Sequence, residues 1–154
     1  MAEILASVDD VNANLPSEDF DGSGAVVAAT QENTALLQLS VARAVRGYLG
    51  GVITQEVMMA WTSPDLTPDY IREAAAKLIA SQLFMQRVAR TVALIDARHF
   101  AQVLYDQAID ILQRIVDGLT IIEDTPVIPV DALTMLDFFP VDDTDRAFSM
   151  SLEL

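Results

Sequence analysis

Between Thr30 and Gly118, apolar residues recur every three or four positions in three long runs, each bounded by residues that start or stop helices. A run with that period presents one face as a helix and none as a strand, so the middle of the chain is confined to helices packed by their apolar stripes. In "QENTALLQLSVARAVRGYL", Thr30 is placed to cap. Leu37, Val41, Ala44, Val45, Tyr48 and Val52 fall on one side, and Arg43 and Arg46 face away. Gly50 and Gly51 end this run, and "TQEVMMAW" follows as a turn or short helix.

The second run, "TSPDLTPDYIREAAAKLIASQLFMQRVART", has the strongest start, with Thr67 as N-cap, Pro68 in the first helical position and Asp69 at the positive end of the dipole. Glu73 and Lys77 pair four apart on its wet side. Ile71, Ala75, Leu78, Met85, Ala89 and Val92 mark its buried side. The third run, "IDARHFAQVLYDQAIDILQRIVDG", has a core line of Phe100, Leu104, Ala108, Ile111 and Ile115 and a stop at Gly118. Tyr105, Ile109 and Val116 widen its apolar arc beyond what one packing partner requires. Leu39, among the arginines of the first helix, and Phe84, on the Glu73 and Lys77 side of the second, lie off the core lines and are candidates for a subunit interface. The expected fold is mainly α, a small helical bundle over residues 30–118.

Two flanking regions read differently. The net charge of −14 divides unevenly: residues 1–32 carry seven acids and no base, 33–118 eight of each, and 119–154 eight acids against Arg146. A neutral body thus stands between ends of −7 each. Residues 1–29 read as an acidic segment with a short helix, loose when alone. Past Gly118 the helical period stops, and in "LTIIEDTPVIPV" Pro126 and Pro129 limit any strand to a sheet edge. Residues 119–154 are expected to form an extended docking arm. Its Phe138, Phe139, Val141, Phe148, Met150 and Leu152 are too apolar for a solvated tail, and they either fold back on the bundle or dock on another chain.

Several chemistries find no support. Cysteine is absent, which removes disulfides, thiol chemistry and thiolate metal sites. The one histidine, His99, lies near Asp96 and Asp106, but no turn presents a serine to it, so it reads as a surface residue and the chain as a non-enzyme. Asp19, Asp21, Ser23 and Gly24 of "DFDGSG" imitate the first half of a calcium loop. The twelfth place, however, holds Thr30 instead of the bidentate glutamate, and no metal or cofactor is expected. No apolar run reaches the ~20 residues of a membrane span, and the start lacks the pattern of a signal peptide. Direct nucleic-acid binding fails because the bases are matched by acids within the body. An acid stripe of Asp106, Asp110 and Asp117 on the third helix could instead line a channel through which DNA slides without being held. Two rivals stand beside that reading: an acidic decoy that mimics DNA to bind a host DNA-binding protein, and a small helical enzyme of unknown chemistry.

The stretches "SVARAVRGYLGGVI", "WTSPDLTPDYIREAAAKLIASQLF" and "DFFPVDDTDRAFSM" together resemble the head-to-tail connector proteins, or adaptors, of long-tailed bacteriophages, most nearly those infecting mycobacteria and related actinobacteria. The likeness spans nearly the whole chain. It implies a virion protein of the neck, assembled in the host cytoplasm, that forms a ring of twelve under the portal, prolongs the DNA channel and carries the stopper protein. On that footing, residues 123–154 would reach the portal with Phe138, Phe139 and Phe148 as anchors. Arg43, Arg46, Arg87 and Arg90 would face acids of the next subunit in the ring.

Overall fold

The computed structural model describes residues 4–17, 27–88 and 95–120. They form five α-helices, α1 (Val8–Ala13), α2 (Gln31–Leu49), α3 (Gln55–Met59), α4 (Asp69–Val88) and α5 (Ile95–Val116), with a 3-10 turn at Pro64–Leu66. The architecture is the small helical bundle that the periodicity implies.

Helix α4 is the central element. Its middle is dry on most sides, with Ile71, Ala74, Ala75, Ala76, Ile79 and Ala80 all buried, because it packs at once against α1, α2 and α5. Alanines on a central helix let three neighbours approach closely, and the larger Ile71, Ile79 and Leu83 fill the spaces between them. Helices α4 and α5 run antiparallel. Their pairing is pinned by the Ser81 hydroxyl donating to the Ala101 carbonyl at 2.7 Å, and by Lys77 Nζ donating to Gln107 Oε1 at 3.0 Å. The far end of α2 joins the same pair through the Tyr48 hydroxyl, which bonds Gln113 Oε1.

The helix ends follow their residues. Thr30 caps α2 as expected, and Asn33 completes the box, with each side chain bonding the other residue's backbone N–H. Gly118 adopts φ +70°, and the N–H groups of Gly118 and Leu119 return to the carbonyls of Ile115 and Arg114, a Schellman ending. Glu73 and Lys77 meet at 3.4 Å. Thr67 differs from its expected role. Its hydroxyl donates back to the Ser63 carbonyl at 2.8 Å, closing the 3-10 turn, and the first α4 bond runs from the Arg72 N–H to the Pro68 carbonyl.

The burial pattern also corrects the reading in places. Phe84 is 1% exposed and meets Phe100 edge-to-face at 5.2 Å, so it is core and not subunit surface. The wet side marked by Glu73 and Lys77 dries out a turn later. Ser81 there is already buried against α5, and Leu15 and Val27 of the N-terminal segment cover Phe84 further on. Met85, Ala44 and Tyr48, expected inside, are exposed.

The described part of the N-terminal segment is no loose arm. Leu5, Ala6 and Val11 are buried in the main core, and α1 is fixed by a Ser7–Asp10 capping box. Asn12 then clasps Ala29 from both sides, accepting its N–H at 2.7 Å and donating to its carbonyl at 3.2 Å. This joins the helix to the residue before the α2 cap across a gap in sequence that composition does not bridge. Residues 121–154, including the possible edge strand, and Ala89 and Val92 of the expected α4 stripe lie outside the described residues.

Candidate functional site

The residues that the sequence nominates fall into three groups. The docking-arm set of Phe138, Phe139, Val141, Phe148, Met150 and Leu152 lies outside the described residues, as do Arg90, the Arg87 side chain, and the calcium-like loop of Asp19, Asp21, Ser23 and Gly24. At the twelfth position of that loop pattern, Thr30 Oγ1 accepts the Asn33 N–H at 3.3 Å, so this side chain serves the helix start.

The second group is the proposed subunit interface. Arg43 is exposed on α2, and Leu39 is partly open, at 37%. Arg46 does not face away. Its Nη2 donates to the Trp61 carbonyl at 3.1 Å, tying the last turn of α2 to the loop after α3. Met58 of α3 and Trp61 of that loop are both buried, and Arg46 is half-buried. Phe84 leaves this group for the core, as above.

The third group, Asp106, Asp110 and Asp117, is exposed along one face of α5. At 3.6 residues per turn the three lie within roughly 40° of one another. Each carboxylate is held locally: Asp106 by Gln102 Nε2 at 2.8 Å, Asp110 by Arg114 at 2.9 Å and Asp117 by Gln113 Nε2 at 2.8 Å. Such i,i+4 bonds fix the side chains without burying them, and each exposed ion pair is worth only about 0.3–0.5 kcal/mol. His99 is exposed on the same helix. Among the described residues no group of three His, Asp or Glu side chains is placed to hold a metal ion, and no helix is long and apolar enough to cross a membrane.

The structure adds a feature that no single run of sequence displays. A groove of about 860 Å³ opens between the start of α1, the first half of α2 and the 3-10 turn. Ile4 and Val8 form one wall, Ala35 and Leu39 the other, and Pro64 one end, with Asp9, Thr34 and Gln38 among the polar lining. Gln38 is buried. Its Nε2 donates to the Ala6 carbonyl at 2.7 Å, and its Oε1 has no hydrogen-bond donor among the described residues. The amide cannot be turned over to relieve this, since the Ala6 carbonyl accepts only a donor. An unmet buried acceptor costs on the order of 1–3 kcal/mol. The signal in the sequence is faint: Leu36 and Leu39 stand off the Leu37, Val41, Val45 core line, and Leu36 is 83% exposed.

No family model matches the chain, and comparison with curated proteins and with solved structures returned no match.

Proposed function

We propose that this chain is a structural coupling of a tailed-phage neck: an adaptor that assembles as a ring beneath the portal, extends the DNA channel and joins the portal to the stopper. The observation that carries the reading is the closing stretch "DFFPVDDTDRAFSM", taken with the other two stretches that share the adaptor likeness. Its aromatics supply interface anchors, and its aspartates keep a free arm soluble and meet basic groups on a partner.

Three features of the described residues are consistent with this role. The fold is a small helical bundle whose last helix is stopped at Gly118, just before the proposed arm begins, and Leu119 beyond the stop is 76% exposed. Large apolar side chains remain open on the bundle surface, including Met59, Tyr70 and Tyr105, which is surface that subunit contacts would cover. The exposed carboxylates of α5 offer a lining that repels DNA phosphates at every point, so a duplex would slide without sticking. The inter-subunit contacts would draw on Arg43, with Arg87 and Arg90 as further candidates at and beyond the end of α4.

The test is truncation after Asp124, followed by binding to purified portal rings from the same virion. The adaptor reading expects binding to fall at least tenfold while the helical content of the bundle stays. Undiminished portal binding rejects the docking arm. Tight binding instead to a host DNA-binding protein, competed by DNA, replaces the adaptor with the decoy.

A further inference from the structure

We propose that the groove between α1 and α2 is a docking site for an apolar segment of a different protein, flanked by at least one lysine or arginine. The inference is independent of the adaptor reading, since it rests on residues 4–66 and not on the arm.

Shape and chemistry argue together. The walls are aliphatic, from Ile4 and Val8 on one side to Ala35 and Leu39 on the other, and the about 860 Å³ between them accommodates several side chains of a peptide. Further apolar side chains are exposed on the same two elements, Leu36 one turn before Leu39 on α2 and Leu66 in the 3-10 turn that contains Pro64. Such a patch at one end of a bundle is a recognition surface for an amphipathic segment. The polar lining is fixed from within: Gln38 is 7% exposed, its amide nitrogen is spent on Ala6, and its Oε1 is buried with no donor among the described residues.

Charge selects the occupant. Asp9 lines the groove, and Glu32 and Asp65 adjoin the lining residues Gln31 and Pro64; all three are exposed, and none is in an ion pair with another described residue. Arg43 lies one turn beyond Leu39, outside the lining, and leaves the rim net acidic. Residues 121–154 of the chain carry eight acids and one base and would meet like charge here. A basic flank on a foreign apolar segment is the complement.

The experiment uses the full chain and three synthetic peptides: a leucine- and alanine-rich peptide flanked by lysines, the same peptide flanked by glutamates, and residues 121–154. Fluorescence anisotropy measures each affinity for the wild type, Ala35→Trp, Leu39→Ala and Asp9→Lys, with circular dichroism confirming that the variants fold. Ala35 is exposed, so tryptophan there fills the groove without entering the core. The expected result is 1:1 binding of the lysine-flanked peptide, about tenfold tighter than the glutamate-flanked one. Ala35→Trp should weaken it about tenfold or more, with a smaller loss in Leu39→Ala, and Asp9→Lys should erase or reverse the charge preference. Lysine-peptide binding indifferent to both Ala35→Trp and Leu39→Ala overturns the proposal as mere attraction to an acidic surface. So does tighter Ala35-sensitive binding of the 121–154 peptide, which would make the chain's own segment the occupant. Self-association in the ultracentrifuge that Ala35→Trp abolishes would assign the groove to a second copy and overturn it equally.

Discussion

Replacing Phe84 with alanine separates the packed structure from the surface position that helical periodicity alone assigns to this residue. The side chain is 1% exposed, stacks edge-to-face on Phe100 at 5.2 Å and packs with Leu15 and Val27. Deleting the ring forfeits its transfer out of water and leaves a cavity that the rigid α4–α5 pair closes only in part, a loss of about 3–5 kcal/mol. The aromatic pair accounts for roughly 0.5–1.5 kcal/mol of that total. For a chain of this size each kcal/mol lowers the melting temperature by about 2–4 °C, so the expected fall is on the order of 6–20 °C. Urea denaturation is the more direct assay. The single tryptophan, Trp61, is 3% exposed, and its emission shifts to the red when the core opens. Leu36→Ala, at an 83% exposed site, is the control and should cost less than about 0.5 kcal/mol. A Phe84→Ala loss below about 1 kcal/mol would refute the packing and return Phe84 to the surface.

Three further outcomes follow from the backbone and its caps. Asn12→Ala removes the acceptor for the Ala29 N–H, which belongs to a residue only 5% exposed, and should cost about 1–3 kcal/mol in the same urea titration. Gly118→Ala forces a side chain into φ +70° and should destabilise by about 1–2 kcal/mol, although a Cβ there meets no neighbouring atom. Gly47→Ala should do the opposite: the site is helical, exposed and open to a Cβ, so thermal melts should show a gain of about 0.5–1 kcal/mol.

Local signals were the legible ones. The Thr30 cap, the Glu73–Lys77 pair and the Gly118 stop each depend on residues within four positions of one another, and each is found where the residue types put it. The core lines of α2 at Leu37, Val41 and Val45 and of α5 at Leu104, Ala108 and Ile115 are buried where the period places them. Periodicity failed where a helix changes neighbours along its length. Helix α4 begins with a wet side at Glu73 and loses it by Ser81 and Phe84, because α5 and then the N-terminal segment cross that face. A stripe drawn at constant angle cannot register such a change. The N-terminal segment carries the short helix expected of it, α1, but the packing of that helix was hidden for a related reason. Its acids mark a solvated surface, whereas Leu5, Ala6 and Val11 are few, and their burial depends on the Asn12–Ala29 clasp between distant residues. The groove shares that origin, since its walls come from α1 and α2 and its end from Pro64.

The central proposal is that residues 119–154 would couple this protein to a portal ring. Cryo-electron microscopy of the full chain mixed with portal rings, beside the chain cut after Asp124, tests it most directly. The account predicts a second ring on the portal with a central hole, density from the aromatic C-terminal residues within the portal, and no ring on portals given the truncated chain. Bare portals beside full-length monomers, or an identical second ring formed by the truncated chain, would contradict it.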